Sequence, residues 1–194
     1  MASHDPPILE VFRQAGALLE GHFLLTSGLH SPKYLQCALV MQDPERGERL
    51  CRQLARAFAD ERIQCVVGPA IGGILVAYEL ARALKAKAVF AERVDGQMTF
   101  RRGFAIEPGQ RVLLVEDVVT TGGSLREVQQ LITASGGNVV AICALVDRTS
   151  GRDAGFGMPL TALVRIEVPT FSPEDCPLCR EGLPLVSPGR TGKK

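Results

Sequence analysis

The sequence predicts an α/β fold, a doubly wound and mostly parallel sheet flanked by helices. Three observations predict it. Short, wholly apolar runs recur at residues 65–67, 88–90, 112–115 and 139–146, and runs without polar alternation suit strands covered on both faces. Helical patterns at residues 74–84 and 125–134 separate the first two runs and the last two. That alternation belongs to parallel sheets with right-handed crossovers. One run ends in two acids and a Thr/Gly/Ser loop, at the strand terminus where open α/β sheets bind ligands.

In chain order, Pro6 and Pro7 precede a helical pattern from Ile8 to about Leu19, with Leu9, Phe12, Ala15 (or Gly16) and Leu19 on one face. Asp43-Pro44 opens a second helix as N-cap and first-turn proline. Leu50, Leu54 and Phe58 then recur at i, i+4 and i+8, opposite a solvated face of arginines and glutamates. Between Glu92 and Gly109 no helix is evident, and Arg93, Asp95, Gly96, Arg101, Arg102 and Gly103 mark an exposed loop or hairpin. A final strand is expected at residues 160–168, and the polar, glycine-rich residues 187–194 read as a disordered tail.

With 194 residues, the chain has room for one well-buried core. Hydrophobic residues at 46% and charged residues at 22% are ordinary soluble composition. A formal net charge of +1 gives no global argument for a nucleic-acid partner. Residues 1–7 lack the basic and apolar regions of a signal peptide, and no apolar run is long enough to span a bilayer. The expected location is the reducing cytoplasm. Cys37, Cys51, Cys65 and Cys143 sit beside apolar residues, where cysteine packs as a small hydrophobe. Cys176-Pro177-Leu178-Cys179 is half of a four-ligand zinc site. No second pair follows, and His4, His22 and His30 lie at the far end of the chain. The reading is therefore a turn holding two packed thiols, with zinc binding or a redox role as the lesser alternative and no metal-ligating residues assigned.

The segment carrying the chemistry is Val112-Leu113-Leu114-Val115-Glu116-Asp117-Val118-Val119-Thr120-Thr121-Gly122-Gly123-Ser124. A helix start offers unpaired N–H groups and a favourable dipole to a phosphate. Gly122 and Gly123 permit close backbone approach, and Thr120, Thr121 and Ser124 add hydroxyl donors. Glu116 and Asp117 repel one another at a low-dielectric strand end. A ribose diol donating to both, or a nearby Mg²⁺, relieves that repulsion. Together these features fit a ribose 5-phosphate better than an N-capped helix with two solvated acids. P-loop, dinucleotide-binding and nucleophile-elbow motifs are absent from the sequence.

The segment resembles the phosphoribosyl-pyrophosphate signature of the type I phosphoribosyltransferases, and residues 8–185 resemble the orotate-using branch of that family. Phe23-Leu24-Leu25-Thr26-Ser27-Gly28-Leu29-His30-Ser31-Pro32-Lys33-Tyr34 resembles the branch's amino-terminal motif. Gly68-Pro69-Ala70-Ile71-Gly72-Gly73 resembles its pyrophosphate loop, which often carries a cis peptide. Residues 93–103 stand where its mobile catalytic loop is found, and Asp147-Arg148 where an arginine meets the orotate carboxylate.

The resemblance implies one phosphoribosyltransferase domain over residues 1–186, with a small hood from about 1–40 and 160–186. It implies a Mg²⁺-dependent transferase making orotidine 5-phosphate and pyrophosphate, a step of pyrimidine (UMP) biosynthesis. Glu116 and Asp117 would hold the ribose hydroxyls. Residues Val118, Val119, Thr120, Thr121, Gly122, Gly123 and Ser124, with Thr26, Ile71 and Gly72, would bind phosphoribosyl pyrophosphate. Thr120, Arg148, Tyr34 and Leu35 would meet orotate. Arg93, with Arg101 and Arg102, would face the pyrophosphate, over the neighbouring site of a homodimer. Relatives often carry lysines where this chain has Gln97, Gly72 and Thr26. Two other readings are a phosphoribosyltransferase for another base and a non-catalytic sensor of phosphoribosyl pyrophosphate. No nucleic-acid or membrane partner is expected.

Overall fold

The computed structural model describes residues 8–25 and 27–188. Along the chain come α1 (Ile8–Gln14), β1 (Leu18–Leu24), β2 (His30–Leu35), α2 (Ala38–Met41), α3 (Pro44–Ala55) and β3 (Cys65–Pro69). There follow α4 (Gly72–Leu84), β4 (Lys87–Val94), β5 (Gln97–Phe100), β6 (Arg111–Val119) and α5 (Gly123–Ala134). The last elements are β7 (Asn138–Asp147), β8 (Leu160–Arg165) and α6 (Pro177–Arg180). The chain divides into two compact units, residues 1–40 with 167–194, and residues 41–166.

In the first unit α1 stops at Gln14, so the expected helix to Leu19 is corrected. Gly16 takes a left-handed φ of 64°. Its N–H donates to Arg13 O, and that of Ala17 to Phe12 O. This is a Schellman stop, with buried Ala17 and Phe12 as its apolar contact. Leu18 and Leu19 instead enter β1, which pairs antiparallel with β2 through a bulge between Glu20 and Phe23. The C-terminal segment is tied to this hairpin by bridges Phe23–Val186 and His30–Phe171. The Ser31 hydroxyl also reaches Pro169 O at 3.1 Å. The tail expected to be disordered lies, from residue 189 onward, outside the described residues.

The second unit is a six-stranded sheet of order β5-β4-β3-β6-β7-β8, parallel except for β5. Asp43 caps α3, its carboxylate accepting from the N–H groups of Glu45 and Arg46. Val112, Leu113, Leu114 and Val115 of β6 are fully buried. One face of the sheet, including Val67, Val112 and Leu114, packs with Leu125, Val128 and Ile132 of α5. α4 covers β3, β4 and β6, so helices flank the sheet as the apolar runs predict. β8 ends at Arg165 rather than Val168 and completes this sheet. Residues 160–165 thus belong to the larger unit.

The 92–109 region contains a hairpin. β4 continues to Val94, Asp95 and Gly96 turn with φ of 48° and 84°, and β5 returns antiparallel. Two successive positive φ values are the signature of the tight turn that matches strand twist, and Asp-Gly suits it. Arg93, expected on an exposed loop or hairpin, is a strand residue of that hairpin opposite Met98.

Candidate active site

The carboxyl ends of three neighbouring strands build the site. β6 delivers Glu116 and Asp117, both half-buried, after four wholly buried residues. Burial pushes the Glu116 carboxyl up to about 8, and the adjacent Asp117 charge adds to the rise. Burial raises Asp117 too, opposed by hydrogen bonds from backbone N–H groups including that of Val118 at 2.8 Å. The strand end therefore holds carboxylates that favour any partner able to donate hydrogen bonds or positive charge.

Beyond them, Thr120 and Thr121 are exposed, while Gly122 is buried with φ 74° at the start of α5. No side chain caps that helix, so its first-turn N–H groups are open to a ligand. A Cβ on Gly122 would lie 2.6 Å from Phe156 Cζ, so no side chain fits there. Val119 is fully buried and offers only its backbone. Its carbonyl accepts from the Arg148 N–H at 2.8 Å, which sets Arg148 at the end of β7 beside Thr120.

The end of β3 supplies the second wall. The Ala70–Ile71 peptide is cis, the feature the family resemblance implies for this loop. Ile71 is 85% exposed, and Gly72 begins α4 directly against the Asp117 carboxylate. A Cβ on Gly68 would come within 2.5 Å of Gly73 O, so strand end and helix start are in close contact.

The arginines divide. Arg93 forms a 2.8 Å ion pair with Glu127 on α5 and donates to Gly96 O. Arg102 pairs with Glu92 at 3.2 Å, its guanidinium 5.9 Å from the Phe90 ring centre. Arg101 is exposed. In the other unit, Tyr34 and Leu35 are successive strand residues and point to opposite faces. Leu35 is buried, and Tyr34 packs 5.8 Å from the Phe23 ring. Thr26 lies outside the described residues.

Sequence reasoning missed Arg126. Its guanidinium donates to Thr121 O at 2.8 Å and to Ala154 O, bracing the loop before α5 against Ala154. Its spacing from the loop was visible, but its partner across 28 residues was not.

This geometry coincides with clear relatedness. The phosphoribosyl transferase domain family matches residues 42–155, the whole of the strand-end site. An orotate phosphoribosyltransferase of Pelotomaculum thermopropionicum is 55% identical over 182 residues, covering 94% of this chain and 95% of its own. The chain belongs to the orotate phosphoribosyltransferase family. The enzyme of that name from Carboxydothermus hydrogenoformans is likewise 55% identical over 184 residues, with 94% and 96% covered. Among solved structures, the orotate phosphoribosyltransferase of Aeropyrum pernix superposes with a TM-score of 0.69 at 25% identity, covering 82% of this chain and 93% of that one. The Mycobacterium tuberculosis enzyme, solved with inorganic phosphate, has a TM-score of 0.65 at 23% identity, covering 83% and 96%, and shares the fold. As an orotate phosphoribosyltransferase family member the chain is a transferase. Among the described residues no helix is long and apolar enough to cross a membrane.

Proposed function

We propose that this chain transfers the 5-phosphoribosyl group from phosphoribosyl pyrophosphate to orotate, releasing pyrophosphate and forming orotidine 5-phosphate. The observation that carries the reading is the β6 strand end, where two adjacent carboxylates precede an uncapped helix start. The 5-phosphate sits at the N–H groups and hydroxyls of residues 120–124. Glu116 and Asp117 accept from the ribose hydroxyls and stabilise the positive charge that grows on the ribose ring as its C1–pyrophosphate bond breaks. Residues 71–72 offer backbone N–H groups to the pyrophosphate, and Arg93, Arg101 and Arg102 supply cations to it. Arg148 pairs with the orotate carboxylate in a planar, forked geometry suited to arginine, and Thr120 borders the base.

Two hard carboxylate donors beside a polyphosphate cradle suit Mg²⁺. Glu116 and Asp117 are the residues on whose side the ion would sit, and when bound it neutralises charge on the leaving pyrophosphate. A homodimer in the cytoplasm, with residues 93–103 reaching the partner's site, completes the proposal. Incubation with phosphoribosyl pyrophosphate, Mg²⁺ and each of orotate, uracil, adenine, guanine and hypoxanthine tests it. Orotidine 5-phosphate is the expected product. Turnover of a purine or uracil alone would reassign the substrate, and binding without turnover of any base would make the chain a sensor.

A further inference from the structure

The two histidines that stand far from Cys176 and Cys179 in sequence meet them in the fold. His22 and His30 come from the two strands of the β1–β2 hairpin, and the cysteines from the turn opening α6. One ligand atom from each of the four lies within 4.8 Å of the other three. His22 Nε2 is 2.9 Å from His30 Nδ1, 3.5 Å from Cys176 Sγ and 3.7 Å from Cys179 Sγ. Cys179 Sγ is also 3.3 Å from His30 Nδ1. A tetrahedron with metal–sulfur bonds of about 2.3 Å and metal–nitrogen bonds of about 2.0 Å has neighbouring donors roughly 3.3–3.8 Å apart. Three of these four distances lie in or near that range, and the His22–His30 distance needs only a small opening.

We infer that His22, His30, Cys176 and Cys179 form a structural Zn²⁺ site. Hydrogen bonding alone accounts poorly for the cluster. His22 Nδ1 is 2.9 Å from Leu183 O, and because a carbonyl only accepts, Nδ1 carries the proton there. Nε2 then presents a lone pair, on which an imidazole nitrogen and two sulfurs converge. One lone pair accepts one good hydrogen bond, whereas a cation at the centre takes a lone pair from all four groups. The Leu183 contact is also the outer-shell hydrogen bond that orients a metal-bound histidine. On binding, both thiols lose their protons to solvent. The resulting dication and two thiolates sum to zero charge, which suits a place where His22, His30 and Cys176 are buried.

Four protein ligands fill a tetrahedron and leave no position for water, so the role is structural. The metal ties the carboxyl-terminal segment to the β1–β2 hairpin, in a unit whose larger buried side chains among the described residues are few, chiefly Phe12, Phe23, Leu35 and Val40. Small cores of this kind gain most from a staple. None of the residues assigned to phosphate, ribose or orotate takes part.

The full chain, expressed without a histidine tag in zinc-supplemented medium and dialysed, tests the inference through its metal content. One zinc per chain is expected, falling to near zero in Cys176→Ser and in His22→Gln. Wild type stripped and reloaded with Co²⁺ should show the intense visible bands of a tetrahedral site and a thiolate charge-transfer band. A chelator should lower its Tm and added zinc restore it. Wild type that folds without zinc and gives only the weak spectrum of octahedral cobalt overturns the site. So does zinc that persists in a Cys176→Ser/Cys179→Ser double variant, or a Cys176–Cys179 disulfide in the native chain. Should the variants aggregate, the wild-type zinc content and cobalt spectrum decide alone.

Discussion

Gly72 lies directly against the Asp117 carboxylate: a Cβ at residue 72 would be 2.6 Å from Oδ2 and 2.7 Å from Oδ1. The first residue of α4 thus leaves room for the Asp117 carboxylate by having no side chain. Any side chain at this position would have to displace the Asp117 carboxylate.

Gly72→Ala is therefore expected to lower kcat/KM by about 10–10²-fold, since misplacing a reacting group by about 1 Å costs on that order. Tm should change little, because Gly72 is exposed. In an Asp117→Ala background the same substitution should add little further loss, as coupled neighbours do in a double-mutant cycle. Additive losses would show that Gly72 acts independently of Asp117.

Gly122→Ala should be damaging for a different reason. The position has φ 74° and a Cβ there would meet Phe156 Cζ at 2.6 Å. A left-handed non-glycine residue costs about 1–3 kcal/mol, and the clash adds to it. A lowered Tm and a raised KM for phosphoribosyl pyrophosphate are expected together. Thermal melts and initial rates check both, and an unchanged KM would remove Gly122 from the phosphate cradle.

Glu116 gives a pH signature. Its folded value of about 8 lies above the ordinary 4.5, so the protonated form is favoured in the folded free enzyme. Its contribution to stability is most favourable below pH 4.5, declines as pH rises between 4.5 and about 8, and is flat above. Ribose hydroxyls donate to the ionised form, so binding of phosphoribosyl pyrophosphate at pH 7 should expel a proton. Calorimetry in buffers of different ionisation enthalpy reads that proton. It should vanish above about pH 8 and in Glu116→Gln. Identical proton release by Glu116→Gln would assign it elsewhere.

The arginines after β5 are distinguishable. Both side chains are exposed, but Arg102 is paired with Glu92 and lies over Phe90, whereas Arg101 makes no ion pair among the described residues. With Gln97 unable to neutralise a departing pyrophosphate, Arg101→Ala should reduce kcat strongly and Arg102→Ala only modestly. Gln97→Lys should partly restore the Arg101 variant. Steady-state rates settle the ranking, and full activity in both alanine variants would leave Arg93 as the arginine that suffices.

What the sequence made legible was local. The Thr/Gly/Ser loop, the acid pair and the Asp43 cap each occupy a few consecutive residues, and apolar runs mark buried parallel strands without knowledge of their partners. The end of α1 was missed because Leu19 continues the helical period, while Gly16 stops the helix two residues before β1 begins. β1 and β2 carry no strict alternation because a bulge interrupts their pairing. Arg126 and the His22–Cys176 cluster depend on contacts across 28 and 154 residues, which no periodicity reports.

The central claim is that the β6 carboxylates carry phosphoribosyl transfer to orotate. Its most direct test is orotate-dependent pyrophosphate release by wild type and by the Glu116→Gln/Asp117→Asn variant, at saturating phosphoribosyl pyrophosphate and Mg²⁺. The account predicts a loss of at least about 10²-fold in kcat, the scale of removing one preorganised electrostatic contact, with folding intact by circular dichroism. A folded double variant turning over at near the wild-type rate would contradict it.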